Sequence, residues 1–262
     1  MEQIPKTPTP PQIQEDQFQF PTEEVTLPSK GLLYPEGHPL RSGVIKMKYM
    51  TAKEEDILTN QNYIKKGTVI DKLLQSLIVT EFDYNKLLVG DKNAILVAAR
   101  ILGYGASYDF KWDGKEANID LSELEDKEID ENLISENKNE FEYTLPFSKK
   151  LITFKLLCHE DDTKIANEIK GLKKINKNIN VDSTTRLKHL ILSVEGDYTK
   201  KTIRDFVDNE LLARDAREFR KYILHVSPDV DLNVDITLDD GEVIEDVTLP
   251  IDINFFWPDA QV

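Results

Sequence analysis

Cys158 stands directly beside His159, where a thiol and an imidazole are neighbours in sequence. A cysteine activated by a nearby base is a common nucleophile. The preceding run, Leu151-Ile-Thr-Phe-Lys-Leu-Leu157, reads as a strand. If the strand continues through Cys158 and His159, their side chains point to opposite faces and cannot form a dyad. Cys158 is then expected as a small buried hydrophobe. The other histidines offer no better site. His189 lies off the stripe Leu187, Leu190, Ile191 and is expected to face solvent. His225 falls in the last turn of a helix, where the dipole favours a cation without catalysis. His38 sits in a Pro-Gly turn region with no obvious partner. One cysteine and four histidines cannot build a cysteine-rich zinc site within one chain. Gly103-Tyr-Gly105 lacks a third glycine and follows a helical pattern, the wrong context for a dinucleotide loop, and no phosphate-cradling P-loop is written anywhere. The 48 acidic residues make chance carboxylate pairs unavoidable, so spacing alone does not identify an acid–base pair. A metal-dependent hydrolase hidden among them stays open as a rival, but no catalytic residue, metal ligand or cofactor is assigned.

Composition narrows the partners. With 33 basic and 48 acidic residues the net charge is −15, which repels phosphate, so nucleic acid is not expected. No apolar run approaches the roughly 18–20 residues that span a bilayer, and no secretion signal is read at the N-terminus. A lone cysteine fits a reducing compartment. Lys164, Lys170, Lys173, Lys174 and Lys177 form a basic concentration that reads either as a solvated helix face or as a dock for an acidic partner.

The elements that would position such residues follow from spacing. Residues 1–28 carry six prolines and no apolar periodicity, so they read as an extended arm. Phe18 and Phe20 alternate as if one face of that arm entered a groove, against the alternative of a disordered tail. Val44–Met50 alternates apolar and basic residues as a strand does. Thr51 and Glu54 have capping-box spacing for a helix ending by Asn60 or Asn62. The stripe from Val69 to Ile78 predicts a helix capped by Thr68, and a third helix is expected to start at Asp91 and close at Gly103. Two hairpins turn on Asp113-Gly114 and Asp240-Gly241, and Thr-Leu-Pro recurs at 144–146 and 248–250. Either a degenerate repeat with an acidic insertion or chance explains the pair. Strands are expected at Phe141–Pro146 and Leu151–Leu157, and helices fill about 161–226, with Ile191 and Val194 on a helical stripe and Pro228 as the stop. The fold class is α+β: two helical clusters, each followed by a small antiparallel hairpin unit. The segments are an arm (1–28), a first helical cluster with a leading strand (29–106), a first β unit (107–158), a second helical cluster (159–228) and a final hairpin with an aromatic tail (229–262).

Four stretches in this order resemble the baseplate hub protein family of T-even-like, contractile-tailed bacteriophages. They are Leu27-Pro-Ser-Lys-Gly-Leu-Leu-Tyr-Pro35; Met50–Asn60 with Lys66-Gly67 and Val69–Leu74; Leu87-Leu-Val-Gly-Asp91 with Arg100-Ile-Leu-Gly-Tyr-Gly105; and Phe255-Phe-Trp-Pro258. The resemblance spans about residues 23–258. Where some relatives carry cysteine pairs in the hairpins, this chain has Trp112, Asp113 and Asp240, so no zinc knuckle is expected. The resemblance implies a structural, non-enzymatic component of the central baseplate hub, or else an assembly chaperone that leaves before the particle is complete. Its partners would be other phage tail and baseplate proteins, in multiple copies of a symmetric assembly, without nucleic acid or membrane. Its place would be the virion tail baseplate, reached through the host cytoplasm during assembly. The residues expected to meet partners are Phe18, Phe20, Leu27, Leu32 and Tyr34 in the arm and its following loop, and Phe255, Phe256 and Trp257 at the end.

Overall fold

The computed structural model describes residues 21–135, 137–175, 181–251 and 253–256. Thr22–Thr26 (β1) lies between Pro21 and Pro28 and is rich in β-branched residues. It pairs antiparallel with Val44–Lys48 (β2), from Thr22 opposite Lys48 to Thr26 opposite Val44. The last part of the expected arm is therefore a ladder strand, because Thr22, Val25 and Thr26 suit a half-buried ladder that neither flanking proline interrupts. Residues 1–20, with Phe18 and Phe20, lie outside the described residues.

The loop between β1 and β2 folds back tightly. Gly31 has φ +75°, and a Cβ there would stand 2.4 Å from the Arg41 carbonyl oxygen, so no larger residue fits. Ala52–Leu58 (α1) starts as the capping spacing predicts. The Glu54 carboxylate accepts from the Thr51 amide at 3.0 Å and hydroxyl at 2.6 Å. A further short helix, Gln61–Lys66 (α2), was not expected. Asn60 starts it by accepting from the amides of Asn62 and Tyr63. Val69–Leu77 (α3) buries Val69, Leu73, Leu74 and Leu77, and the chain then runs along the outer edge of β2, with the Val79 amide donating to the Lys46 carbonyl at 2.8 Å.

Val89–Tyr104 (α4) is the central helix, burying Ala94, Ile95, Leu96, Val97, Ala99 and Arg100. It begins two residues before Asp91, which sits inside the first turn rather than capping it, and it closes at Gly105 rather than Gly103. Ser107–Trp112 (β3) and Lys115–Asp120 (β4) form the hairpin around Asp113-Gly114. The acidic stretch that follows is irregular, with single 3-10 turns at Leu121–Glu123 and Glu131–Leu133.

Phe141–Thr144 (β5), Leu151–Phe154 (β6) and Ile191–Val194 (β7) make a three-stranded sheet in that order. His159–Ile175 (α5) and Asp182–Leu190 (α6) lie between β6 and β7 in sequence. Ile191 and Val194, expected on a helix, are strand residues. The helix stops at Leu190, and the apolar run Ile191-Leu-Ser-Val194 buries itself against β6, Val194 opposite Ile152. Thr199 caps Lys200–Asp205 (α7), its hydroxyl accepting from the Thr202 amide. A wider turn over Phe206–Glu210 leads to Ala213–Val226 (α8), which ends before Pro228.

Asn233–Thr237 (β8) and Val243–Thr248 (β9) form the second hairpin, bulged near Val234 and Ile236, and Ile253–Phe256 (α9) follows. The two hairpins meet edge to edge. Ala117 bridges Leu238, the Asp239 amide donates to the Glu116 carbonyl at 3.0 Å, and Lys115 reaches Asp240 and Glu242 at 2.7 and 2.6 Å. Buried apolar side chains from Leu27 to Phe256 form one continuous core, completing an α+β fold built around α4.

Candidate functional site

At the N-terminal end of α4, the loop 27–35 is latched to the helix. Asp91 is buried, and its Oδ1 accepts from the Ser29 amide at 3.0 Å. Its Oδ2 accepts from the Ser29 hydroxyl and the Tyr34 hydroxyl, both at 2.7 Å. The Tyr34 oxygen in turn accepts from the Leu88 amide at 3.1 Å. Burial pushes the Asp91 carboxyl above the usual carboxylate range, although the Tyr34 and Ser29 hydrogen bonds pull the other way. Burial also pushes the Tyr34 phenol upward. His38, expected without a partner, stacks on Tyr34 with ring centres 4.9 Å apart, and its Nδ1 accepts from the Leu40 amide.

The same end of the helix receives the second half of the chain. The Val89 amide donates to the Leu157 carbonyl at 3.1 Å, and the His159 amide to the Leu87 carbonyl at 2.8 Å. Asn93 donates to Asp229 at 2.9 Å. A Cβ on Gly90 would stand 1.8 Å from the Pro228 carbonyl oxygen, so only glycine admits this crossing. At the other end, Arg100 is buried and its guanidinium donates to three carbonyls. These are Phe255 at 2.9 Å, Gly105 at 2.8 Å and Ser107 at 3.1 Å. One side chain thus ties α9 and β3 to α4.

The described residues expected to meet partners lie in or against the chain's own core. Leu27, Tyr34, Phe255 and Phe256 are buried in the chain's own core, and Leu32 is half-buried against it. The apolar residues of these stretches pack against α4, where the polar latch and the Arg100 clamp hold the irregular chain around them. Trp257, like Phe18 and Phe20, lies outside the described residues.

The chemistry-bearing residues are also bound into structure. Cys158 is half-buried rather than a core residue, and its thiol donates to Asp161 Oδ2 at 3.1 Å. Burial pushes the thiol above its ordinary value, away from the reactive thiolate. His159 turns away to a separate cluster at the start of α5, 3.6 Å from Asp71. Lys92 bonds Asp71 at 2.6 Å, and Tyr84 packs edge-on against the imidazole. Burial holds His159 below its usual value, with Asp71 opposing and Lys92 adding to the effect. His189, expected in solvent, lies 3.0 Å from Glu168. Among the described residues no group of three or more His, Cys, Asp or Glu is arranged to hold a metal ion. No described helix is long and apolar enough to cross a membrane.

Residues 21–257 match the family model described as T4 bacteriophage base plate protein. The chain belongs to this family. No curated protein and no solved structure matches it. As a baseplate protein the chain is a structural component of a phage tail assembly, and the matched span takes in both the Asp91 latch and the Arg100 clamp.

One surface of this baseplate protein escaped the sequence reading. The outward side of α8 carries Arg214, Arg217, Arg220 and Lys221, written as R-x-x-R-x-x-R-K. At about 3.6 residues per turn, Arg214, Arg217, Lys221 and Leu224 fall opposite the buried Asp215, Ala216, Phe219 and Val226. The apolar stripe that marks this helix masks the signal, since the cations fall on the face the stripe leaves out. Phe147, on the turn between β5 and β6, lies under Arg214 with the guanidinium 5.5 Å from its ring centre.

Proposed function

We propose that this baseplate protein is a non-enzymatic component of the central hub region and works by docking against other tail and baseplate proteins. The match over residues 21–257 carries this reading. Three of the four hub-like stretches converge on α4. Loop 27–35 and Leu87–Asp91 meet at the latch, while Arg100–Gly105 and Phe255-Phe256 meet at the clamp. Such residues build a scaffold, and recognition is left to the faces that scaffold exposes. Burial raises the Cys158 thiol away from the reactive thiolate, which supports a non-enzymatic role.

Mass spectrometry of purified particles tests the reading. Stoichiometric copies in the finished tail support a hub component. Absence from the particle, together with capture of a hub or tail-tube protein on co-expression, overturns it in favour of an assembly chaperone. Host cytoplasm is the compartment in which either role would begin.

A further inference from the structure

We propose that the outward face of α8 is half of a twofold contact between two copies of this chain, each copy's α8 lying on the other's acidic run at residues 123–131. The inference goes beyond the hub reading and does not depend on it.

The first observation is a charge inversion. The chain carries −15 overall, yet α8 gathers four cations. Of its two carboxylates only Glu218 cancels a cation at the surface. Asp215 is buried and accepts from the amides of Phe147 and Ser148 at 2.8 and 3.0 Å. Glu218 pairs with Lys221 at 2.9 Å. Among the described residues Arg214 and Arg217 have no carboxylate partner. Apolar side chains accompany them, since Leu224 is 68% exposed and Phe147 49% exposed. A face that mixes guanidinium groups with exposed apolar side chains suits a carboxylate-bearing polypeptide, because arginine binds carboxylates as a two-pronged fork.

The complementary surface is on the same chain. Glu123, Glu125 and Glu128 are exposed and, among the described residues, without ion-pair partners, and Leu133 beyond them is 37% exposed. The segment leaving α8 runs beside this acidic run. The Lys127 amide donates to the Asp229 carbonyl, and the Asp231 amide to the Glu125 carbonyl, each at 2.8 Å. Two patches of opposite sign on one chain suit a twofold axis, because one rotation can place each patch on its complement and make both contacts together. The overall repulsion between two acidic copies is screened beyond about 8 Å at physiological salt, whereas pairs in contact are screened much less and yield only at high salt.

Sedimentation velocity on the full chain, over a concentration series in physiological and high salt, tests the proposal. The expected result is a concentration-dependent dimer that weakens in high salt. R217E/K221E should weaken it at least about ten-fold, and so should E123K/E125K/E128K, because each variant opposes like charges at both contacts. An equimolar mixture of the two variants should recover the dimer to within roughly two-fold of the wild type, since each contact again joins opposite charges. Circular dichroism establishes that both variants are folded. The proposal is overturned if the wild type stays monomeric at physiological salt, including the case in which it binds duplex DNA through the same arginines. It is equally overturned if the charge reversals leave the dimer unchanged, or if the mixture stays monomeric.

Discussion

Replacing Asp91 tests whether loop 27–35 is held by a polar latch or by apolar packing alone. Asp91→Ala removes the acceptor for three buried donors, the Ser29 amide, the Ser29 hydroxyl and the Tyr34 hydroxyl. The two hydroxyls can rotate toward other acceptors, but the amide cannot, and a buried unpaired donor costs about 1–3 kcal/mol. Hydrogen bonds to a charged acceptor contribute about 1.5–3 kcal/mol each, partly offset because the carboxylate no longer has to be buried. The expected net loss is about 3–5 kcal/mol, or roughly 6–20 °C in Tm for a chain of this length. Asp91→Asn keeps one acceptor oxygen for the two hydroxyls but turns an NH2 toward the Ser29 amide, so its loss should be about 1–3 kcal/mol. Because the folded-state carboxyl is raised, the stabilisation tied to its proton is full at acid pH and fades as pH rises through the folded value. The deficit of Asp91→Asn should therefore be larger at acid pH than at neutral pH. Urea unfolding at several pH values measures both effects, and amide exchange at Ser29 and Gly31 reports the latch directly. An Asp91→Ala variant within about 0.5 kcal/mol of wild type, with unchanged exchange, would refute the latch.

Other perturbations probe the remaining joints. Gly90→Ala should destabilise by more than about 2 kcal/mol because its methyl meets the Pro228 carbonyl. Gly171→Ala, in α5 with open space around it, should be neutral or stabilise by up to about 1 kcal/mol, and paired thermal melts compare the two. Arg100→Ala should cost about 2–4 kcal/mol and speed proteolysis beyond Leu249, with Arg100→Lys recovering at most part of the loss because one ammonium cannot reach all three carbonyls. Burial would raise the Glu54 carboxyl, but the Lys48 and Thr51 hydrogen bonds outweigh it and hold the group below its usual value of 4.5. The stability it contributes is present above that value and lost as pH falls, so the gap between wild type and Glu54→Gln should close in acid unfolding curves.

Local spacing revealed much of the fold. The Thr51–Glu54 cap, the α3 stripe and both Asp-Gly hairpins are each encoded within at most sixteen neighbouring residues, and each forms where the pattern places it. The errors share a cause, namely a partner distant in sequence. Ile191 and Val194 fit a helical stripe as well as a strand, and only β6, forty residues earlier, decides for the strand. Asp91 looks like a cap until Ser29 and Tyr34 are seen to claim it. Tyr34 and Phe255-Phe256 lie in turn-rich chain whose local pattern gives no sign of a core around them. The core reaches them through α4, which no local window contains.

The two ends of α4 explain why the halves of this chain need not be separable units. The latch, the Gly90 crossing and the Asn93–Asp229 bond bring residues from 29 to 229 onto the first two turns of the helix. The Arg100 clamp brings residues from 105 to 255 onto the last two. A helix buried on most of its circumference, gripped at both ends by segments distant in sequence, cannot lose one end without exposing core beneath the other. Loosening either joint should therefore lower the stability of the whole chain and not free a single lobe. Coincident unfolding transitions by tryptophan fluorescence and circular dichroism in the Asp91 and Arg100 variants are the expected result, and a biphasic transition in either would show two independent lobes instead.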